Sequence, residues 1–107
     1  MSLRGIVRQR MITARLMDAL NAMNIKYRIL EDAEATIITV TYNQLRAEFD
    51  KSDLKKEGKD FSEFLDTLLN SIAIKSGLNT EIYHYLIKEN AGWKFEIPRW
   101  VYERSRP

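Results

Sequence analysis

The residue best suited to acid–base chemistry in this chain is its single histidine, His84. An unperturbed imidazole titrates near neutral pH, so His84 is a candidate general acid or base. A catalytic histidine needs a partner that orients the ring, and none of its sequence neighbours supplies one. We therefore interpret His84 as a structural residue of a strand, and we expect no enzymatic activity of a familiar class.

Carboxylates occur in two groups, of which the second has the residue types of a metal-dependent nuclease. Glu48 and Asp50 precede Lys51, and such acids with a lysine can hold Mg²⁺ against a phosphate. Residues 43–59 are ambiguous, however. Leu45 and Phe49 can anchor a short helix, and the mostly charged run 50–59 predicts a solvated connection or a loose helical turn rather than a site. The nuclease is therefore a remote alternative. With no cysteine and only four scattered glycines, the chain has neither a thiolate metal site nor a glycine-rich phosphate loop, and we expect no metal and no cofactor.

Basic side chains are concentrated at the two ends of the chain. Residues 1–30 carry six basic side chains and one acidic one, whereas the middle of the chain is acidic. At about 100° per residue, three of these arginines fall on one side of a predicted first helix. The tail, residues 99–107, interleaves arginines with aromatic side chains, as single-stranded nucleic acid requires. The predicted nucleic-acid surface consists of Arg4, Arg8, Arg15, Tyr83, Tyr85, Arg104 and Arg106.

An excess of apolar surface favours a protein partner over nucleic acid. The first helix has a main apolar stripe through Ile12, Leu16 and Leu20, and a second strip that the core does not need. Small domains often bury such surplus apolar surface in a dimer. The predicted interface consists of Val7, Met11, Ala14, Trp100 and Tyr102. We expect a non-enzymatic interaction module that binds a protein partner, including a second copy of itself. Nucleic-acid binding is the alternative, and no small-molecule substrate is evident.

Hydrophobic periodicity predicts the order α-β-β-α-β-β. Helices are predicted over residues 3–23 and 60–76, and each is followed by a hairpin, over residues 25–42 and 81–97. We expect Ile38, Val40 and Tyr42 to face the core. The natural architecture is a two-layer α+β sandwich, in which two helices cover one face of a four-stranded antiparallel sheet. A circularly permuted ferredoxin-like fold has this order. Pro98, however, favours an edge position for the last strand.

Length and composition limit the number of domains. The 107 residues are 45% hydrophobic and 30% charged, with a formal net charge of +2, which is typical of one globular domain over residues 1–107. No apolar run approaches the ~20 residues of a membrane helix, and the first residues do not resemble a signal peptide. We therefore expect no membrane partner and a cytoplasmic location.

Overall fold

The structure, a computed structural model, describes residues 3–98, with side chains from residue 7 onward. These residues form four α-helices, a 3₁₀ helix and four strands. In chain order the elements are α1 (Leu3–Ala22), β1 (Arg28–Glu31), β2 (Ala35–Val40), α2 (Tyr42–Lys51), α3 (Asp53–Lys56), α4 (Phe61–Ser76), the 3₁₀ helix (Asn79–His84), β3 (Leu86–Glu89) and β4 (Gly92–Pro98). The predicted α+β class is confirmed. None of the helices within residues 3–98 is long and apolar enough to cross a membrane.

The four strands form one antiparallel sheet in the order β1-β2-β4-β3. The predicted four-stranded antiparallel sheet is therefore confirmed. The edge position that Pro98 suggested for β4 is wrong, since β4 lies between β2 and β3. Successive N–H groups of a strand point to alternate sides, and the Glu96 N–H donates toward β3, to the Tyr85 carbonyl at 2.9 Å. The Pro98 nitrogen points the same way but lies beyond the end of β3, whose first residue pairs with Phe95, so no ladder bond is lost.

The core lies between one face of the sheet, here called the inner face, and the helices α1 and α4. Strand β4 contributes alternate residues to it, and Phe95 and Ile97 are fully buried. Ile12, Leu16 and Leu20 of α1 meet them with at most 1% of their surface exposed, as the main stripe of the first helix predicted. Asn24 ends α1 in a left-handed conformation (φ 57°), and Gly77 does so for α4 (φ 74°).

Residues 43–59 form α2 and α3, so the structure has the short helix that Leu45 and Phe49 could anchor, in place of a solvated connection. Thr41 caps α2, where its hydroxyl accepts a hydrogen bond from the Gln44 N–H at 3.3 Å. Leu45 and Phe49 anchor the helix in the core. Tyr42, predicted to face the core, is the first residue of α2 and is 39% exposed. The polar cap thus ends the strand at Val40, two residues before the alternating pattern would.

The predicted strand over residues 81–88 is also wrong in its first half. A 3₁₀ helix occupies Asn79–His84, and β3 begins only at Leu86. Tyr83 and Tyr85 therefore do not lie two apart on a strand, as the predicted stacking surface requires. Tyr83 is 46% exposed, whereas Tyr85 is buried.

The turn between β3 and β4 predicts a stabilising substitution. Asn90 and Ala91 both have positive φ angles, 52° and 61°, as the two central residues of a type I′ turn must. Alanine is strained there because its Cβ crowds the backbone, whereas glycine is not. We expect Ala91→Gly to raise the free energy of unfolding by about 0.5–1 kcal/mol in urea denaturation. The matched control, Ala47→Gly on the exposed side of α2, should lower it by about 1 kcal/mol. A loss of stability in both variants would contradict the turn geometry.

Candidate functional site

The sheet face opposite the core, here called the outer face, carries exposed apolar side chains. Register places Leu30 of β1 beside Ile37 of β2, and Ile87 of β3 beside Lys94 of β4. Leu30 is 61% exposed and Ile87 is 40% exposed, while Ile37 is half-buried. Among the helices within residues 3–98, only the first residue of α2, Tyr42, reaches one end of this face. Leu30 and Ile87 thus expose apolar surface on the two edge strands of the outer face.

A shallow depression of about 370 Å³ lies at one end of the outer face. Ile37 and Thr39 line it from β2, Tyr42 from the start of α2, and Asn90 from the turn between β3 and β4. On its rim, Lys94 Nζ lies 3.4 Å from the Glu89 carboxylate. The depression offers hydroxyl, amide and apolar contacts. It contains no pair of an acid and an orienting base of the kind that catalysis uses.

The second apolar strip of α1 lies on the side of the helix away from the core. Val7 is 58% exposed, Ala14 is exposed and Met11 is half-buried. The structure thus leaves this part of the sequence-predicted interface accessible. Its other members, Trp100 and Tyr102, lie outside the described residues.

The arginines of α1 differ in what they contact. Arg8 pairs with the Glu81 carboxylate, and both side chains are 27% exposed. Arg10 and Arg15 are exposed and make no ion pair with another described residue. The side chain of Arg4 and the residues Arg104 and Arg106 lie outside the part of the chain that the structure describes. Of the predicted basic surface, Arg8 is therefore already neutralised by a neighbouring acid.

Glu81 also joins the 3₁₀ helix to Tyr85. The Tyr85 hydroxyl donates a hydrogen bond to Glu81 Oε1 at 3.2 Å. Burial, followed by the negative charge of Glu81, raises the pKa of Tyr85 to about 12. The ring of Tyr85 is buried, so it is not accessible for the predicted stacking on a base. Tyr85 instead supports Glu81, the partner of Arg8.

His84 ends the 3₁₀ helix and is exposed. Within residues 3–98 it makes no hydrogen bond and no ion pair that would orient its ring. Its predicted position in a strand is wrong, since the strand begins two residues later. The arrangement gives His84 no catalytic geometry.

The two acids of the nuclease alternative lie on α2 and make lysine contacts. Glu48 contacts Lys51 at 3.2 Å, and Asp50 contacts Lys55 at 2.8 Å. The hydrogen bond from Lys55 lowers the pKa of the Asp50 carboxyl. Within the described residues no three acids or histidines come close enough together to hold a metal ion. Glu48 and Asp50 thus act as helix-surface ion pairs.

The exposed apolar residues of the outer face, which are candidate contact residues, were not predicted from the sequence. The alternation of residues 25–30 was assigned to a half-buried strand, yet all four residues of β1 are exposed. A usable signal was present in the architecture, because two helices can cover only one side of a single sheet. Apolar residues on the other side, such as Leu30 and Ile87, then remain in solvent.

Comparisons with protein-family models, with curated proteins and with solved structures find no match to this chain.

Proposed function

We propose that the protein is a non-enzymatic interaction module that binds a protein partner, including a second copy of itself. The observation that carries this proposal is the outer face of the sheet. Leu30, Ile37 and Ile87 meet solvent there, and no element within residues 3–98 covers them. Exposed apolar groups bordered by charged ones are typical of protein interfaces.

A second contact surface is proposed on α1. Val7, Met11 and Ala14 form an accessible strip, and the sequence adds Trp100 and Tyr102 of the tail. Methionine and aromatic side chains are favoured in interfaces because they adapt to a partner and bury a large area. The two surfaces lie on different layers of the fold, so one molecule can use them for different partners.

Two further proposals concern the relation of the fold to known folds and the cellular location of the protein. The strand order β1-β2-β4-β3 is the one that a circularly permuted ferredoxin-like sheet would have, and we propose that relation. The fold alone implies no function, since such folds host many. Because the chain has no cysteine, we propose a reducing, cytoplasmic setting.

The test is binding by variants of each surface. We expect Leu30→Asp to weaken binding to a partner bound through the sheet by about a hundredfold, because a carboxylate would replace a buried apolar contact. Met11→Asp should likewise weaken binding by about a hundredfold for a partner that is bound through α1. The measurement is isothermal titration calorimetry with a partner first identified by cross-linking and then purified. Lys59→Asp, on an exposed loop between α3 and α4, is the matched control and should leave affinity unchanged. A partner that binds all of these variants equally would contradict both surfaces.

Nucleic-acid binding is the second candidate because Arg10 and Arg15 are exposed on α1 and form no ion pair with any residue that the structure describes. An arginine fork binds two phosphate oxygens, and each such contact steepens the salt dependence of affinity. If this candidate holds, affinity for single-stranded RNA falls steeply with salt, and Arg15→Ala flattens that slope by about one unit. A protein interface on apolar side chains is largely indifferent to salt.

A further inference from the structure

Strand β1 is an edge strand that is exposed on both of its faces. Ile29, on the inner side, is 43% exposed, and Leu30, on the outer side, is 61% exposed. Strand β2 next to it is mostly buried. An exposed edge with apolar side chains is a template for pairing with another strand.

The main chain of β1 presents its free hydrogen-bonding groups at two residues. The Asp32 N–H donates to the Ala35 carbonyl at 3.1 Å, which fixes residue 32 as pointing toward β2. Because strand residues alternate, Leu30 and Arg28 also point their N–H and C=O groups toward β2. Ile29 and Glu31 therefore point theirs away from the sheet, and no strand within residues 3–98 pairs with them.

We propose that β1 pairs antiparallel with β1 of a second copy, across a two-fold axis that passes between the two Leu30 residues. In this register Ile29 of each copy lies opposite Glu31 of the other. All free N–H and C=O groups of residues 29 and 31 are then satisfied. A two-fold axis at Ile29 would pair Ile29 with itself and leave Glu31 without a partner inside the strand. The two sheets become one continuous sheet, and their outer faces merge around Leu30.

Charge along this segment favours antiparallel self-pairing. Lys26 precedes β1 and Arg28 begins it, whereas Glu31 ends it and the acids Asp32 and Glu34 follow in the turn. Antiparallel pairing places the basic beginning of one copy beside the acidic end of the other, at both ends of the contact. Opposite charges on facing strands stabilise a pair, and like charges destabilise it. The other edge strand, β3, has no such separation, because Lys88 and Glu89 are adjacent in it, and an edge lysine typically blocks pairing.

This inference rests on the self-association in the proposed function and specifies its geometry. The first test uses proline, which has no N–H to donate. Glu31→Pro removes a free edge N–H without removing a bond to β2, and we expect it to abolish the dimer. Lys88→Pro is the matched control on the other edge strand, because the main-chain N–H of Lys88 likewise points away from the sheet. The Lys88→Pro variant should still form the dimer. The measurement is sedimentation velocity over a concentration series, in which the wild type should reach twice the 12.6 kDa of one chain.

The second test exchanges charges. Lys26→Glu alone and Glu34→Lys alone should each weaken the dimer about tenfold, because each places like charges side by side twice in a symmetric contact. The double variant, Lys26→Glu with Glu34→Lys, restores opposite charges and should recover the wild-type dissociation constant. Circular dichroism of every variant confirms that it is folded.

Two results would overturn the inference. One is a dimer that survives Glu31→Pro with unchanged affinity, which would place self-association on another surface and leave the proposed function intact. The other is a wild type that stays monomeric up to millimolar concentration. In that case β1 does not self-pair, and the proposed function then depends on binding of a different protein through Leu30 or Met11.

Discussion

Gly92→Ala is expected to lower the free energy of unfolding by about 3 kcal/mol, a large part of the stability of a domain of this size. Gly92 begins β4 and lies against the junction of β2 and α2. A Cβ built there would come within 2.6 Å of the Val40 carbonyl oxygen and 2.9 Å of the Tyr42 nitrogen. Both neighbours are backbone atoms. The β2–β4 ladder holds Val40 opposite Trp93, and the cap at Thr41 holds the start of α2, so neither can move aside cheaply.

The matched control is Gly58→Ala, in the loop after α3. A Cβ there meets nothing within 4 Å, but φ is +83°, so only backbone strain of about 1 kcal/mol is expected. Urea denaturation of the two variants measures the difference, which should be at least about 1.5 kcal/mol. Equal losses would mean that the β2–α2 junction adjusts easily. The rim of the outer-face depression, which Tyr42 and Gly92 line, would then lack a fixed shape.

Long periodic elements could be predicted from the sequence. The core stripe of α1, the Asp60 cap and Gly77 end of α4, and the buried alternation of β4 are all observed. These elements could be predicted because buried residues recur every 3.6 residues in a helix and every 2 residues in a strand. The residues that end a helix also adopt characteristic backbone conformations. The antiparallel sheet follows from the two hairpins.

The bounds of short elements could not be predicted, because local polar chemistry decides them. Thr41 and Gln44 have the spacing of a capping box, which starts α2 and turns Tyr42 outward. The alternating pattern of the strand extended past that point and gave the opposite orientation. The 3₁₀ helix at Asn79–His84 similarly begins where Asn79 takes a positive φ of 53°. The early end of β2 explains why Tyr42 was misplaced. The late start of β3 explains why Tyr83 and Tyr85 were misplaced.

The residue pattern alone indicates individual exposed residues where an exposed side follows from helix geometry. Val7 and Ala14 are accessible as expected, because they lie opposite the core stripe of α1. The outer face depends on which residues of different strands lie side by side, and that register is a tertiary property. The partner of Arg8 is likewise distant in sequence, at Glu81.

The same limitation applies to Gln9, which lies in α1 between the residues of the predicted second strip. Glutamine is mostly found on protein surfaces, yet Gln9 is only 1% exposed. Its Nε2 donates a hydrogen bond to the hydroxyl of Thr36 in β2, and Thr36 is also 1% exposed. The Thr13 hydroxyl donates to the Gln9 carbonyl at 2.8 Å. A buried polar contact thus joins α1 to the sheet where the core stripe would lead one to expect apolar packing.

We expect Gln9→Ala to lower the free energy of unfolding by about 3 kcal/mol. The variant opens a cavity between α1 and β2, and it leaves the Thr36 hydroxyl buried without its donor. Gln9→Leu fills the space and should cost about 2 kcal/mol, from the unpaired hydroxyl alone. Thr36→Val should cost a similar amount, because the Gln9 amide then loses its acceptor.

The double variant, Gln9→Leu with Thr36→Val, shows whether the single variants lose stability through the broken hydrogen bond or through altered packing. Replacing both partners by apolar groups removes the unsatisfied buried atom. The double variant should therefore lose at least about 1 kcal/mol less free energy of unfolding than the sum of the two single variants. Urea denaturation of the four proteins completes the cycle. Strictly additive losses would mean that packing rather than the hydrogen bond governs this contact. A coupled result would instead mean that a polar pair fixes the position of α1 on the sheet, and with it the direction in which Val7 and Met11 are presented.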